Sequence, residues 1–150
     1  NMKKSPKIIN ADISFDDRGE IIHCNNFDFK KNNIKRFYKI QNNNINFVRA
    51  WHAHKKENKF ILILTGSLKI CTIKIDNWKT PGKNLTKSTF IINEKRPQIL
   101  FIPGGYAHGT QNLTRDTKFI VFSNLNIKES IKDDYRYKSN YWGDWIIKSR

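Results

Sequence analysis

Acidic residues are scarce in this chain: 13 Asp and Glu stand against 28 Lys and Arg, a formal charge of +15 over 150 residues. Cysteine is nearly absent as well. Cys24 and Cys71 form no C-x-x-C pair, which argues against a zinc ribbon or a disulfide scaffold and fits a reducing compartment. Glycine and proline together number only eleven, so neither a collagen-like repeat nor a disordered tract is expected. No apolar run approaches the ~20 residues of a membrane span. Two apolar residues alone separate Lys7 from Asn10, so the start of the sequence holds no signal-peptide core. These absences lead to the expectation of a cytoplasmic protein with no membrane partner. What is present is a globular composition, 38% hydrophobic and 13% aromatic. With Asn1 set aside ahead of Met2, residues 2–150 are expected to form one domain.

The charge by itself points to a polyanion, with nucleic acid the obvious candidate. Its distribution points elsewhere. Twenty-one of the cations are Lys, spread along the chain beside 18 Asn and 22 Ile, a bias that an AT-rich genome writes onto any surface. No nucleic-acid partner is expected, whereas a phosphate-bearing small ligand would need only a few of these charges.

Short runs rich in β-branched and aromatic residues predict strands at Glu20–Cys24, Ile34–Ile40, Phe47–Ala53, Lys59–Leu64, Leu68–Ile75, Thr89–Ile92, Ile99–Ile102 and Lys118–Phe122. Turn signals such as Asp16-Asp17-Arg18-Gly19, Asn42-Asn43-Asn44 and Thr65-Gly66-Ser67 separate them. The Gly66 turn makes Lys59–Ile75 the clearest hairpin, and only Asn126–Lys132 offers a short helix. Many strands at roughly ten-residue spacing argue for an all-β sandwich or barrel. Phe60, Leu62 and Leu64 share one face of their strand and Ile61 and Ile63 the other, so this strand is expected to be buried on both sides. His52 and His54 share a face too, and two imidazoles turned toward a barrel interior need partners or a task.

Three of the four histidines lie in two compact motifs. The first is His52-Ala53-His54-Lys55-Lys56-Glu57. The second is Pro103-Gly104-Gly105-Tyr106-Ala107-His108-Gly109-Thr110-Gln111-Asn112, a P-x-G-x-x-H-x-x-x-N. His52, His54, Glu57 and His108 would suit a divalent metal with open positions. Arg49, Lys55, Lys56 and Lys59 crowd the same stretch with positive charge, which repels a dication and suits an anionic substrate or an enolate.

Together the two motifs resemble those of the cupin superfamily, which implies a double-stranded β-helix, a jelly-roll barrel. The runs Asp16-Asp17-Arg18-Gly19, Arg49-Ala50-Trp51-His52 and Leu100–Gly109 are similar to the dTDP-4-dehydrorhamnose 3,5-epimerase family, as are Asp133-Asp134 and Trp145 near the end. Ile34-Lys35-Arg36-Phe37-Tyr38 and Arg49–Lys56 are more similar to the related dTDP-4-keto-6-deoxyglucose 3,4-ketoisomerases. The resemblance implies an isomerase or epimerase of a nucleotide-linked 4-keto-6-deoxy sugar in glycan biosynthesis. The nucleotide-diphosphate sugar would be its partner, the chain a homodimer, and metal and organic cofactor both unneeded.

It also implies roles. Protons α to the ketone need a base, a donor for the enolate oxygen and an acid. His52 matches the catalytic base, Lys59 the lysine that faces the enolate in the epimerases, and Tyr38 the tyrosine of the ketoisomerase subfamily. His54 would serve as a second imidazole. Arg18, Arg36, Arg49 and His108 would hold the nucleotide and sugar. Where the epimerases carry a tyrosine acid, this sequence has Val121-Phe122-Ser123. Arg49 and His52 have opposite strand parity, so both reach one site only across a bulge, or else Arg49 serves a neighbouring subunit. A metal-dependent cupin and a non-catalytic sugar-nucleotide binder are the competing expectations. The tryptophans Trp51, Trp142 and Trp145 read either as packing residues or as a platform for the base.

Overall fold

Twelve strands and one short helix follow one another in a computed structural model that describes residues 4–150. The strands are β1 (Lys7–Asn10), β2 (Asp12–Asp16), β3 (Gly19–His23), β4 (Arg36–Asn42), β5 (Val48–His54), β6 (Lys59–Thr65), β7 (Ser67–Lys74), β8 (Lys87–Asn93), β9 (Gln98–Ile102), β10 (Tyr106–Asn112) and β11 (Thr117–Ser123), then α1 (Ile127–Ile131) and β12 (Tyr135–Arg136). One sheet has the order β1-β9-β6-β11-β4 and the other β12-β5-β10-β7-β8. From β4 to β7 the chain alternates between the sheets, and it does so again from β8 to β11. The ladders β4–β11, β5–β10, β6–β9 and β7–β8 are all antiparallel. This nested pairing is the double-stranded β-helix of the cupin fold, the expected jelly roll. The eight predicted strands are present within two residues at either end, and α1 carries the capping box that Asn126 and Glu129 make possible.

The Lys59–Ile75 hairpin is not there. β6 and β7 follow one another across Gly66 but belong to opposite sheets, so the turn is an arch over the edge of the sandwich. Gly66 takes φ +87, and a Cβ there would run into Thr114 Oγ1. A positive-φ glycine serves an arch and a hairpin equally well. The apolar faces decide: Ile61 and Ile63 of β6 meet Leu68 and Ile70 of β7 across the interior, in the cluster that also holds Leu100, Phe119 and Val121.

Both sheets are covered outside as well as inside. The outer face of β6 and β9 (Phe60, Ile99, Phe101) is packed by Phe27, Ile9 and Phe122. That two-sided burial was expected for β6, though Leu64 at its far end is exposed. The outer face of β5, β7 and β10 packs Trp51, Ala53, Ile73 and Ala107 against Trp142 and Trp145. Trp51 Nε1 donates to the Ser139 carbonyl at 3.1 Å, and its ring meets Trp142 edge-on. The tryptophans therefore act as packing residues outside the barrel. The hairpin β2–β3 pairs with no other strand among the described residues.

Candidate active site

The interior of the barrel changes character along its length. Its lower part is the aliphatic core, and its upper part is a pocket of about 310 Å³ lined by Arg49, His52, His54 and His108 from one sheet and by Tyr38, Lys59, Ile61, Phe119 and Val121 from the other. Four strands deliver these polar groups. His52 and His54 come from alternate positions of β5, and His108 stands directly across from His52 in the β5–β10 ladder. Both ring pairs, His52 with His108 and His54 with His108, have centroids 6.0 Å apart.

Arg49 reaches the same pocket through a bulge. The ladder pairs His108 with His52 and Thr110 with Arg49, so Ala50 and Trp51 together face the single residue Gly109. Two residues against one reverse the parity of the strand and bring Arg49 and His52 to one side. Gly109 is needed there because a Cβ would stand 2.6 Å from the Trp145 ring and 2.7 Å from Ala50 Cβ. Arg49 Nε donates to Asn42 Oδ1 at 2.8 Å, and its guanidinium lies over the Phe47 ring.

Each imidazole is held differently. The Nδ1–H of His54 donates to the Asp133 carbonyl at 2.7 Å and lies 3.2 Å from Glu57 Oε2. Its Nε2 is buried with no hydrogen-bond partner. His52 is half-buried, and burial above all, then Arg136 and Lys59, pushes its pKa down to about 4. Burial likewise lowers His54, and it holds His108 well below the ordinary range. All three rings are therefore neutral at physiological pH and able to accept a proton. Lys59 opens β6 yet turns inward, where its Nζ donates to Tyr38 Oη at 3.0 Å. It places a positive charge and a donor across the pocket from the histidines.

Two residues expected in the substrate site stand elsewhere. Arg36 does not line the pocket: its guanidinium donates to Glu57 Oε1 at 3.1 Å, to Ser130 Oγ at 3.0 Å and to the Leu125 carbonyl. Arg18 lies in the turn between β2 and β3, paired with Asp16 and exposed. The metal set of His52, His54, Glu57 and His108 is not assembled either. Glu57 sits behind His54 with its oxygens taken by Arg36, Ser123 and Ser130. Among the described residues no group of three His, Cys, Asp or Glu side chains comes together to hold a metal ion. Sequence reasoning gave no place in the site to Asp134 or Arg136, which also line the pocket. Arg136 arrives opposite His52 on the two-residue strand β12, too short to leave a periodic signal. A larger groove of about 480 Å³ beneath β1 gathers Lys4, Lys7 and Lys31 over Phe60 and Phe101, with no histidine near it.

The family described as FdtA: WxcM-like, C-terminal, matches residues 4–142. Among solved structures, the chain is similar to the WlaRB TDP-quinovose 3,4-ketoisomerase of Campylobacter jejuni at 24% identity, covering 93% of this chain and 98% of that one, with a TM-score of 0.70. The sugar 3,4-ketoisomerase QdtA of Thermoanaerobacterium thermosaccharolyticum, solved in complex with TDP, matches at 22% identity and TM-score 0.68, covering 94% of both chains. The dTDP-4-dehydrorhamnose 3,5-epimerase of Sulfolobus tokodaii matches at 23% identity and TM-score 0.77, covering 99% of this chain and 85% of that one. No curated relative matches in sequence.

Proposed function

Because the chain belongs to the FdtA family (WxcM-like, C-terminal), we propose that it isomerises a nucleotide-linked 4-keto-6-deoxy sugar, moving the ketone from C4 to C3. The observation that carries the choice is the pair of imidazoles, His52 and His54, at alternate positions of one strand on one wall of the pocket. With His108 they stand on one sheet, while the other sheet offers Ile61, Phe119 and Val121 beside the hydrogen-bonded Lys59–Tyr38 pair. Double epimerisation inverts two carbons and needs proton donors on opposite faces of the ring. A 3,4-ketoisomerisation needs one face only, and the 3,4-ketoisomerases and the 3,5-epimerase share this fold.

The chemistry follows from the groups. The C3 hydrogen lies α to the C4 ketone. His52, neutral and without a fixed partner, takes it as the C3–C4 double bond forms and O4 becomes an enolate oxygen. Lys59 and Tyr38 supply donors and positive charge for that oxygen. His54, through its unpartnered Nε2, moves the O3 proton to O4, and His52 returns its proton to C4. One proton has passed from C3 to C4, one from O3 to O4, and the ketone stands at C3. Arg49 and Arg136 are the cations that suit a diphosphate.

The reading includes a homodimer. Ile13, Phe15 and Ile22 share one exposed face of the β2–β3 hairpin, which a second copy would cover, and Arg18 in its turn would then belong to the composite site. It also includes a cytoplasmic location. No helix among the described residues is long and apolar enough to cross a membrane.

The test is incubation with dTDP-4-keto-6-deoxyglucose in deuterated water. The expected product is the 3-keto isomer, with no exchange at C5. Exchange at C5 would instead establish an epimerase, and binding of dTDP without any exchange would leave a sugar-nucleotide binder.

A further inference from the structure

Behind the pocket, four elements converge on a single carboxylate. Glu57 has a fully buried side chain. Its Oε1 receives Arg36 from β4 and Ser123 Oγ from β11, and its Oε2 receives Ser130 Oγ from α1 at 3.0 Å. His54 Nδ1 of β5 lies 3.2 Å from the same Oε2. Ser130 in turn accepts from Arg36 at 3.0 Å, which locks the two donors together. A carboxylate has about four lone-pair sites; here three hydrogen bonds reach it, and the His54 ring stands against Oε2. The carboxylate has no capacity left for a ligand, and its one route to the pocket is through the His54 ring.

We propose that Glu57 is a positioning residue for His54. With the Asp133 carbonyl it fixes the imidazole as the Nδ1–H tautomer, so that Nε2 is always the proton-accepting atom, while Arg36, Ser123 and Ser130 hold the carboxylate. The role assigned to His54 rests on the isomerase reading; the fixing of its tautomer does not. An imidazole with both nitrogens free divides between two tautomers, and only one presents a lone pair at Nε2. The nitrogen that bonds an acceptor keeps its proton, and the other remains basic. The carboxylate also stabilises the imidazolium that forms when Nε2 takes a proton. On the pocket side Lys59 disfavours that cation, with the neutral His52 and His108 rings beside it and Arg136 beyond. Glu57 and Asp133 are the acidic groups against it. Arg36 cancels the charge of Glu57 when the ring is neutral, so the buried cluster carries no unpaired charge before the reaction.

Glu57→Gln keeps the size and removes the charge. Heteronuclear NMR of the ring nitrogens reads the tautomer directly, with His54 assigned by its absence in His54→Asn. The wild-type protein should show the Nδ1–H form alone. Glu57→Gln should show a mixture, with the ring protonating at lower pH. On substrate, kcat should fall roughly ten- to a hundredfold, by analogy with the loss of partners that orient metal-bound imidazoles, while KM moves less than threefold. An unchanged His54 tautomer and titration in Glu57→Gln would overturn the proposal, whatever the substrate proves to be. Should Glu57→Gln unfold, Ser130→Ala removes one bond to Oε2. It should give the same mixture to a smaller extent and a two- to fivefold loss in kcat. A His54 spectrum unchanged in folded Ser130→Ala would overturn the proposal equally.

Discussion

His52 and His54 stand two residues apart on one strand, and their surroundings give them different work. His52 has Arg136 and Lys59 for neighbours, no fixed partner, and a pKa near 4. His54 is tied at Nδ1. His52→Asn keeps much of the size and hydrogen-bonding capacity but removes the base. Turnover is expected to fall at least ~100-fold, the low end of general-base contributions, with dTDP affinity nearly intact. A near-normal kcat would remove the base assignment. The depressed histidines also set a pH dependence of stability. The unfolded chain protonates its histidines below about pH 6.5, whereas folded His52 stays neutral to about pH 4. Between those values the unfolded state binds more protons, so stability is full above the window and is lost as pH falls through it. Thermal melts should show Tm dropping from pH 7 to pH 5, with a smaller drop in His52→Asn. A Tm level across that range would contradict the burial of uncharged imidazoles.

At the scale of elements, the turn from β5 to β6 is held from outside itself. Asp133, just beyond α1, accepts the backbone N–H groups of Lys55, Lys56 and Glu57, each at 2.9 Å. Its own carbonyl receives His54. One buried residue thus orders the strand end that carries His54 and the turn that carries Glu57. Asp133→Ala strands three donors, and each bond to a charged acceptor contributes ~1.5–3 kcal/mol. Partial rescue by water leaves an expected loss of about 3 kcal/mol in urea unfolding. A loss below about 1 kcal/mol would mean that the turn holds its shape unaided. The bulge in β5 works on the same scale, because without it Arg49 would point outward among the tryptophans.

For the whole molecule, the feature out of keeping with a closed barrel is the β2–β3 hairpin. Phe15 is 79% exposed, and Ile13 and Ile22 are 41% and 48% exposed beside it. Apolar surface of this kind on an unpaired hairpin is characteristic of an interface. Light scattering at micromolar concentration is expected to give the dimer mass. Phe15→Glu combined with Ile22→Glu should shift it to monomer and weaken dTDP binding, since Arg18 would be lost from the composite site. A wild-type protein of monomer mass would refute the dimer.

Much of this was legible in the sequence. Strand positions follow from period-two patterning and turn residues, the helix from its Asn126–Glu129 cap, and the histidine site from two short motifs whose spacing is local. Partnership is not local, and there only the tertiary structure decided. Gly66 permits a hairpin or an arch, and the choice depends on which apolar faces meet across the interior. Arg36 looked like a substrate ligand because its neighbours in sequence resemble a family motif. A buried carboxylate from 21 positions away claims it instead. The parity of Arg49 and His52 is reconciled by a bulge that exists only because β10 places Gly109 against it. The sequence settles what each segment can form on its own; burying charge and apolar surface together settles which segments meet.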